Sequence, residues 1–235
     1  MFDKSLARTI AVLLGAVLCS GCASKPMSSD TPPKAADAEM ADYADRFYFD
    51  HCPLCATRFG VRGEAIEVMH GERELRFCSP SCVEAFHHNP AAGLRRIDAE
   101  MIADQRLFYP LKHSLYSAES LPDRPIEFIW GNRLFRARNE EERRRILADP
   151  ADAIVRLDRA VIDAQRPTYG MPDKCPVQGD ILSSEQRIDI VVANRMIRLC
   201  CRRCVRVVRA RPYQYLAMVE YANRAEAERR DLMDR

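Results

Sequence analysis

The sequence predicts an α+β fold made of three tandem copies of one small unit, each a β-hairpin, a short helix and a longer helix. Three observations carry this reading. Three stretches align: Ile66-Glu67-Val68-Met69-His70-Gly71-Glu72-Arg73-Glu74-Leu75-Arg76, Ile126-Glu127-Phe128-Ile129-Trp130-Gly131-Asn132-Arg133-Leu134-Phe135-Arg136, and Ile188-Asp189-Ile190-Val191-Val192-Ala193-Asn194-Arg195-Met196-Ile197-Arg198. Each reads Ile, an acid, three residues, Gly or Ala, any residue, Arg, any residue, an apolar residue, Arg. A proline follows 14 residues after the last Arg in every copy, at Pro90, Pro150 and Pro212. Beyond each proline the apolar residues recur at helical spacing: Leu94, Ile97 and Met101, then Ile154, Leu157 and Val161, then Leu216 and Val219.

Each element has a local reason. Apolar-rich runs flank Gly71-Glu72, Gly131-Asn132 and Ala193-Asn194, the pattern of a hairpin with a tight turn. Ser79-Pro80 supplies a helix cap and a proline at the first helical position. The prolines open the longer helices, whose apolar stripes are core. The units are expected over residues 41–106, 107–166 and 167–235. Residues 24–38 are rich in Ser, Pro, Ala and Asp without an apolar period, so 23–40 reads as a solvated tether. Before it, Lys4 and Arg8 precede the apolar run Ile10 to Leu18, nine residues and too short to span a ~30 Å bilayer core as a helix.

Composition narrows the functional classes. The 36 basic and 34 acidic residues are well mixed, which gives no electrostatic case for nucleic acid. No Ser-His-Asp set, phosphate loop or pair of catalytic carboxylates stands out. The ten cysteines are the anomaly, and their placement matters most. Copy one has Cys52 and Cys55 on a turn before the hairpin. After 22 residues come Cys78 and Cys82, where the hairpin ends and a helix begins. A two-residue gap lets a turn aim two sulfurs at one point, and spacing of i and i+4 puts two more on one helical face. Helix-start amides favour thiolate over thiol. Four such sulfurs suit a tetrahedral zinc site with bonds of roughly 2.3 Å.

Copy three carries Cys175, Cys200 and Cys204 at the first, third and fourth of these positions, with Gln178 where the second cysteine should be. Cys201 is a spare sulfur beside Cys200. The site therefore has three protein sulfurs and an open position, or Cys201 completes it with distortion. Copy two has Arg138 and Glu142 at its third and fourth positions and His113 or Ser114 at its first, and reads as a spacer without metal. His51, His70, His87, His88 and His113 are scattered; His51 and the His87-His88 pair read as exposed residues at a turn and a helix end rather than as ligands.

Two resemblances add to this. Cys52-Pro53-Leu54-Cys55 through Phe77-Cys78-Ser79-Pro80-Ser81-Cys82, Phe86 and Asn89-Pro90 resembles the TRASH and YHS domains, treble-clef modules associated with heavy-metal trafficking, resistance and sensing. The resemblance covers about residues 50–94 and implies that Cys52, Cys55, Cys78 and Cys82 are ligands, without naming the metal. Cys175-Pro176-Val177-Gln178-Gly179 through Cys200-Cys201-Arg202-Arg203-Cys204 is similar to a divergent branch of the same group. The N-terminus, 1–22, resembles a bacterial lipoprotein signal with Gly21-Cys22 at the cleavage point, which implies that Cys22 is lipidated. Cys19 stands where such signals usually carry Leu, and an ordinary secretory signal cut near Ala23 is the alternative. Both export the protein. Ala23, rather than the Asp that in such lipoproteins marks inner-membrane retention, points toward the outer membrane.

The expected function is therefore a cell-envelope lipoprotein binding zinc or a softer ion such as Cu(I), with a metal transporter or another envelope protein as partner. Three alternatives stay open. The metal can be purely structural, since a module of about 60 residues buries little surface and commonly needs a staple. The cysteines of an exported protein can pair as disulfides. Cys52-x-x-Cys55 can act as a thiol–disulfide redox pair, although the strand and long helix of a thioredoxin context are missing around it.

Overall fold

The computed structural model describes residues 44–183 and 187–233. The expected signal, Cys22 and the tether lie outside them. The described chain runs hairpin, helix, helix three times over. Strands β1 (Ile66–His70) and β2 (Arg73–Phe77) pair, as do β3 (Ile126–Trp130) with β4 (Arg133–Ala137) and β5 (Ile188–Val192) with β6 (Arg195–Leu199). All three sheets are two-stranded and antiparallel. The helices are α1 (Pro80–His88) and α2 (Pro90–Arg106), α3 (Glu140–Ala148) and α4 (Pro150–Gln165), then α5 (Arg202–Ala210) and α6 (Pro212–Met233). A single 3-10 turn, Arg166–Thr168, follows α4. No helix among the described residues is long and apolar enough to cross a membrane.

Local chemistry sets these bounds. The two-residue loops of copies two and three place both central residues at positive φ: Gly131 at 51° and Asn132 at 62°, Ala193 at 49° and Asn194 at 59°. That is the requirement of the hairpin turn whose twist matches the strands. In copy one only Gly71 is left-handed. Each helix pair is split by one non-helical residue before a proline, a position driven out of the helical region by the proline ring. Asn89 and Asp149 serve there as caps, accepting hydrogen bonds from the Ala92 and Asp152 amides.

The residues that define the repeat do matching work in each copy. The acid of β1, β3 or β5 faces the last Arg of the motif across the hairpin: Glu67 with Arg76, Glu127 with Arg136, Asp189 with Arg198, at 2.7–3.1 Å. The first Arg reaches an acid on its own longer helix: Arg73 to Asp98 at 2.6 Å, Arg133 to Asp158 at 2.7 Å, Arg195 to Glu220 at 2.6 Å. Neighbouring copies are then stitched by amides. Gln105, fully buried on α2, accepts from the Leu134 N–H and donates to the Asn132 carbonyl, both at 2.9 Å. Gln165 on α4 does the same for Met196 and Asn194 at 2.8 Å. The Asn132 side chain donates to the Glu74 carbonyl, and that of Asn194 to the Leu134 carbonyl. Thus α2 packs on β3 and β4, and α4 on β5 and β6.

Two apolar clusters result. One is shared by copies one and three and includes Phe47, Phe77, Phe86, Met101, Met196 and Leu199 together with Cys52, Cys78, Cys175 and Cys204. The other fills copy two around Phe135, Ile146, Ile154, Leu157 and Val161. The copies also meet at a buried ionic junction centred on Arg133, besides the pairs Arg195–Asp104 and Arg166–Asp189. Arg133, whose side chain is 2% exposed, holds the Asp45 carboxylate through Nε and Nη2, Asp158 through Nη1, and the Val191 carbonyl through Nη2. Asp45 also accepts from the Ala193 amide at 2.7 Å, and its own N–H donates to the Gly131 carbonyl.

Removing one partner from a buried ionic junction leaves the others uncompensated. Arg133→Met is therefore expected to lower stability by about 3–5 kcal/mol, read as a shifted midpoint in urea, whereas Arg156→Met, which breaks an exposed pair with Asp152, should leave that midpoint nearly unchanged.

Candidate metal centres

The first centre sits in the corner between a turn, the end of β2 and the start of α1. The turn is closed by the Cys52 N–H donating to the Thr57 carbonyl and the Ala56 N–H donating to the Cys52 carbonyl, both at 2.8 Å. Ala56 takes a left-handed φ of 57° to bring the chain round. Cys78 follows β2 directly. Ser79 caps α1, its hydroxyl accepting from the Cys82 amide, so Cys82 lies in the first helical turn. These elements gather the four sulfurs of Cys52, Cys55, Cys78 and Cys82 to within 4.8 Å of one another. Separations of 3.3 Å (Cys55–Cys78), 3.8 Å (Cys55–Cys82) and 3.9 Å (Cys78–Cys82) compare with an edge of about 3.8 Å for a tetrahedron of ~2.3 Å zinc–sulfur bonds. The four sulfurs fit one ion. Cys52 and Cys78 are buried in the core, Cys55 is exposed and Cys82 is half-buried, so the corner opens toward solvent on one side.

The thiols differ in acidity. Hydrogen bonds from the Thr57 hydroxyl and amide bring Cys55 down to about 6. Burial pushes Cys52, Cys78 and Cys82 up. His51, next to Cys52, is engaged by Asp50 at 3.0 Å and Glu100 at 2.7 Å and so is committed away from the sulfurs.

Copy three builds the same corner with changed parts. The Cys175 N–H donates to the Asp180 carbonyl and the Gly179 N–H to the Cys175 carbonyl, with Gly179 left-handed where copy one has Ala56. Cys175, Cys200 and Cys204 lie within 4.8 Å of one another. Burial raises Cys175, but the amides of Gln178, Cys200 and Val177 outweigh it and hold the thiol below its usual range. Gln178 is exposed and brings no sulfur. Cys201 stands at the N-cap of α5, the place of Ser79 and Asn139, and a capping side chain turns back toward the third helical residue. That is why two adjacent cysteines reach one corner: Cys201 Sγ is 3.7 Å from Cys200 and 3.6 Å from Cys204. It does not join the group formed with Cys175. All eight described cysteines are free.

Copy two shows what closes the corner without sulfur. Matching bridges, His51 to Arg58, His113 to Ser120 and Lys174 to Ile181, put Ser114 rather than His113 in the place of Cys52. Glu142, in the place of Cys82, accepts from the Ser114 hydroxyl at 2.7 Å, the Leu115 amide at 3.0 Å and the Arg138 amide at 2.9 Å. In copies one and three the residue after the first cysteine is a proline, Pro53 or Pro176, which has no N–H to satisfy. The carboxylate of copy two thus takes the staple's place with charge-assisted hydrogen bonds.

Against this geometry, comparison with known proteins adds nothing. No family model, curated protein or solved structure matches the chain.

Two outcomes follow from the site chemistry. Ligand sulfurs must be deprotonated to bind a metal, and in copy one only Cys55 is already a thiolate at pH 7. Loading that site at pH 7 should release about three protons, so its apparent affinity falls about a thousandfold per pH unit lost, more steeply below pH 6 where Cys55 also protonates. Calorimetry in buffers of different ionisation heat measures this directly. In copy two, Glu142→Gln replaces an acceptor with an amide that faces backbone donors. It should cost about 2–3 kcal/mol in urea unfolding while leaving bound metal per chain unchanged.

Proposed function

We propose that this protein is an exported, lipid-anchored metal-binding protein of the cell envelope, with a closed four-sulfur site in copy one and a more labile three-sulfur site in copy three. The observation that carries it is the convergence of four sulfurs, then three, at matching corners of two repeats. On this reading each unit is a treble clef of the TRASH and YHS kind, as the spacing of Cys52, Cys55, Cys78 and Cys82 suggests. Zinc suits the four-sulfur site, since four thiolates complete its tetrahedral shell. A softer ion of the Cu(I) class suits the three-sulfur site, since thiolates are soft ligands.

Copy two supports a handling role over a purely structural one. Its corner is closed by Glu142 alone, so this fold has a staple that needs no metal. The anchor rests on Gly21-Cys22 behind the short apolar run, and the partner class is a transporter or envelope protein that exchanges the ion. Redox chemistry of Cys52 and Cys55 is disfavoured by the convergence of Cys78 and Cys82 on the same point.

Elemental analysis of reduced protein purified without oxygen tests the reading. Between one and two ions per chain are expected, with a chelator removing the ion of copy three first and Gln178→Cys slowing that loss. Fully reduced, titratable thiols without metal under metal-replete conditions would refute both sites. For the anchor, Cys22→Ser should abolish lipid labelling and membrane partition; unchanged labelling refutes that part alone.

A further inference from the structure

Cys201 holds a position that binding at the copy-three corner does not require. At the same N-cap, Ser79 and Asn139 accept a hydrogen bond from the third helical residue, Cys82 or Glu142. Cys201 makes no capping bond. Its sulfur instead completes a nearly equilateral triangle with Cys200 and Cys204, with sides of 3.7, 3.6 and 3.5 Å. Cys175, Cys200 and Cys204 form a second group of three, all within 4.8 Å. The two groups share the Cys200–Cys204 edge and differ in the third corner. Cys175 is fully buried in the core, whereas Cys201 is half-buried at a helix start. Exposed Arg202 and Arg203 follow it directly and offset the negative charge that clustered thiolates bring.

We propose that Cys200, Cys201 and Cys204 form an outer three-sulfur position that loads and unloads a soft, low-coordinate cation of the Cu(I) class, which pivots about the shared edge to the inner position completed by Cys175. The proposal rests on the reading of copy three as a metal site and adds a route to it. The step is ligand exchange at constant oxidation state. One metal–sulfur bond to Cys201 breaks as one to Cys175 forms, and the proton displaced from the Cys175 thiol leaves to solvent while the Cys201 thiolate takes one up. Two bonds, to Cys200 and Cys204, persist throughout, so the ion is never released. Three sulfurs satisfy such an ion, whereas zinc at either position still lacks a fourth ligand. Copy one offers no such route, because Ser79 holds the equivalent place and all four of its sulfurs form one closed group.

The test uses the full reduced chain loaded with Cu(I), and follows transfer to the chromophoric Cu(I) chelator bicinchoninate. Cys201→Ser supplies a hydroxyl at an N-cap, so the fold is not put at risk by the change. Cys201→Ser and Cys201→Ala should keep the wild-type stoichiometry and an equilibrium affinity within about threefold, and slow the copy-three phase of transfer at least tenfold. Cys175→Ser should still hold Cu(I) at copy three and lose it faster; adding Cys201→Ser should abolish that binding. Wild-type transfer rates in both Cys201 variants would overturn the proposal, and so would equal binding by Cys175→Ser and the double variant. Circular dichroism checks the Cys175 variants; should they not fold, the Cys201 rates decide alone. A wild-type chain that takes up no more Cu(I) than the double variant refutes the copy-three site itself, a result distinct from a bound ion that exchanges without Cys201.

Discussion

A hairpin of two five-residue strands has two faces and no second sheet to cover them, and alone it is marginal in water. Everything else in this molecule answers that constraint. Each hairpin receives one helix pair from its own copy, and the hairpins of copies two and three also receive the longer helix of the copy before. The amide side chains of Gln105 and Gln165 set the register of that second contact, because each must meet one N–H and one carbonyl of the next hairpin at once. Apolar burial supplies the drive, and these buried polar groups supply the alignment.

The second constraint lies at the corner where turn, hairpin and short helix meet. Backbone amides converge there in all three copies, and convergent amides demand negative charge. Copies one and three place cysteine sulfurs there, and copy two the Glu142 carboxylate. The carboxylate is satisfied by two amides and the Ser114 hydroxyl, whereas clustered sulfurs, once ionised, repel one another until a cation joins them. One backbone frame therefore yields either a closed internal staple or a cysteine group that could hold a metal ion, according to which side chains line it.

Much of this was legible in the sequence. The three aligned motifs, the two-residue turns and the spaced prolines gave the hairpins and both helices of each unit, because these depend on local geometry. The grouping of Cys52, Cys55, Cys78 and Cys82 was legible too, since each pair is aimed by its own turn or helix start. Less visible were partners that only tertiary folding brings together, such as Arg133 with Asp45 and Asp158. Copy two reads in sequence as a spacer without metal, and what that reading does not show is that Glu142 keeps the corner closed. Leu115 in place of Pro53 was the available signal, since it adds an N–H that needs an acceptor. The sequence leaves open whether Cys201 is a spare sulfur or a ligand; its alignment with the capping Ser79 explains why its sulfur turns toward Cys200 and Cys204.

The junction at Asp45 has a mechanical meaning. Asp45, the second described residue, is gripped by Arg133, Ala193 and Gly131, from copies two and three, while Phe47 and Tyr48 just after it are buried in the cluster shared by copies one and three. Tension arriving along the chain from its N-terminal side meets all three repeats at once. The load is shared across an ionic junction and two cores, and no single hairpin can be peeled away from its end.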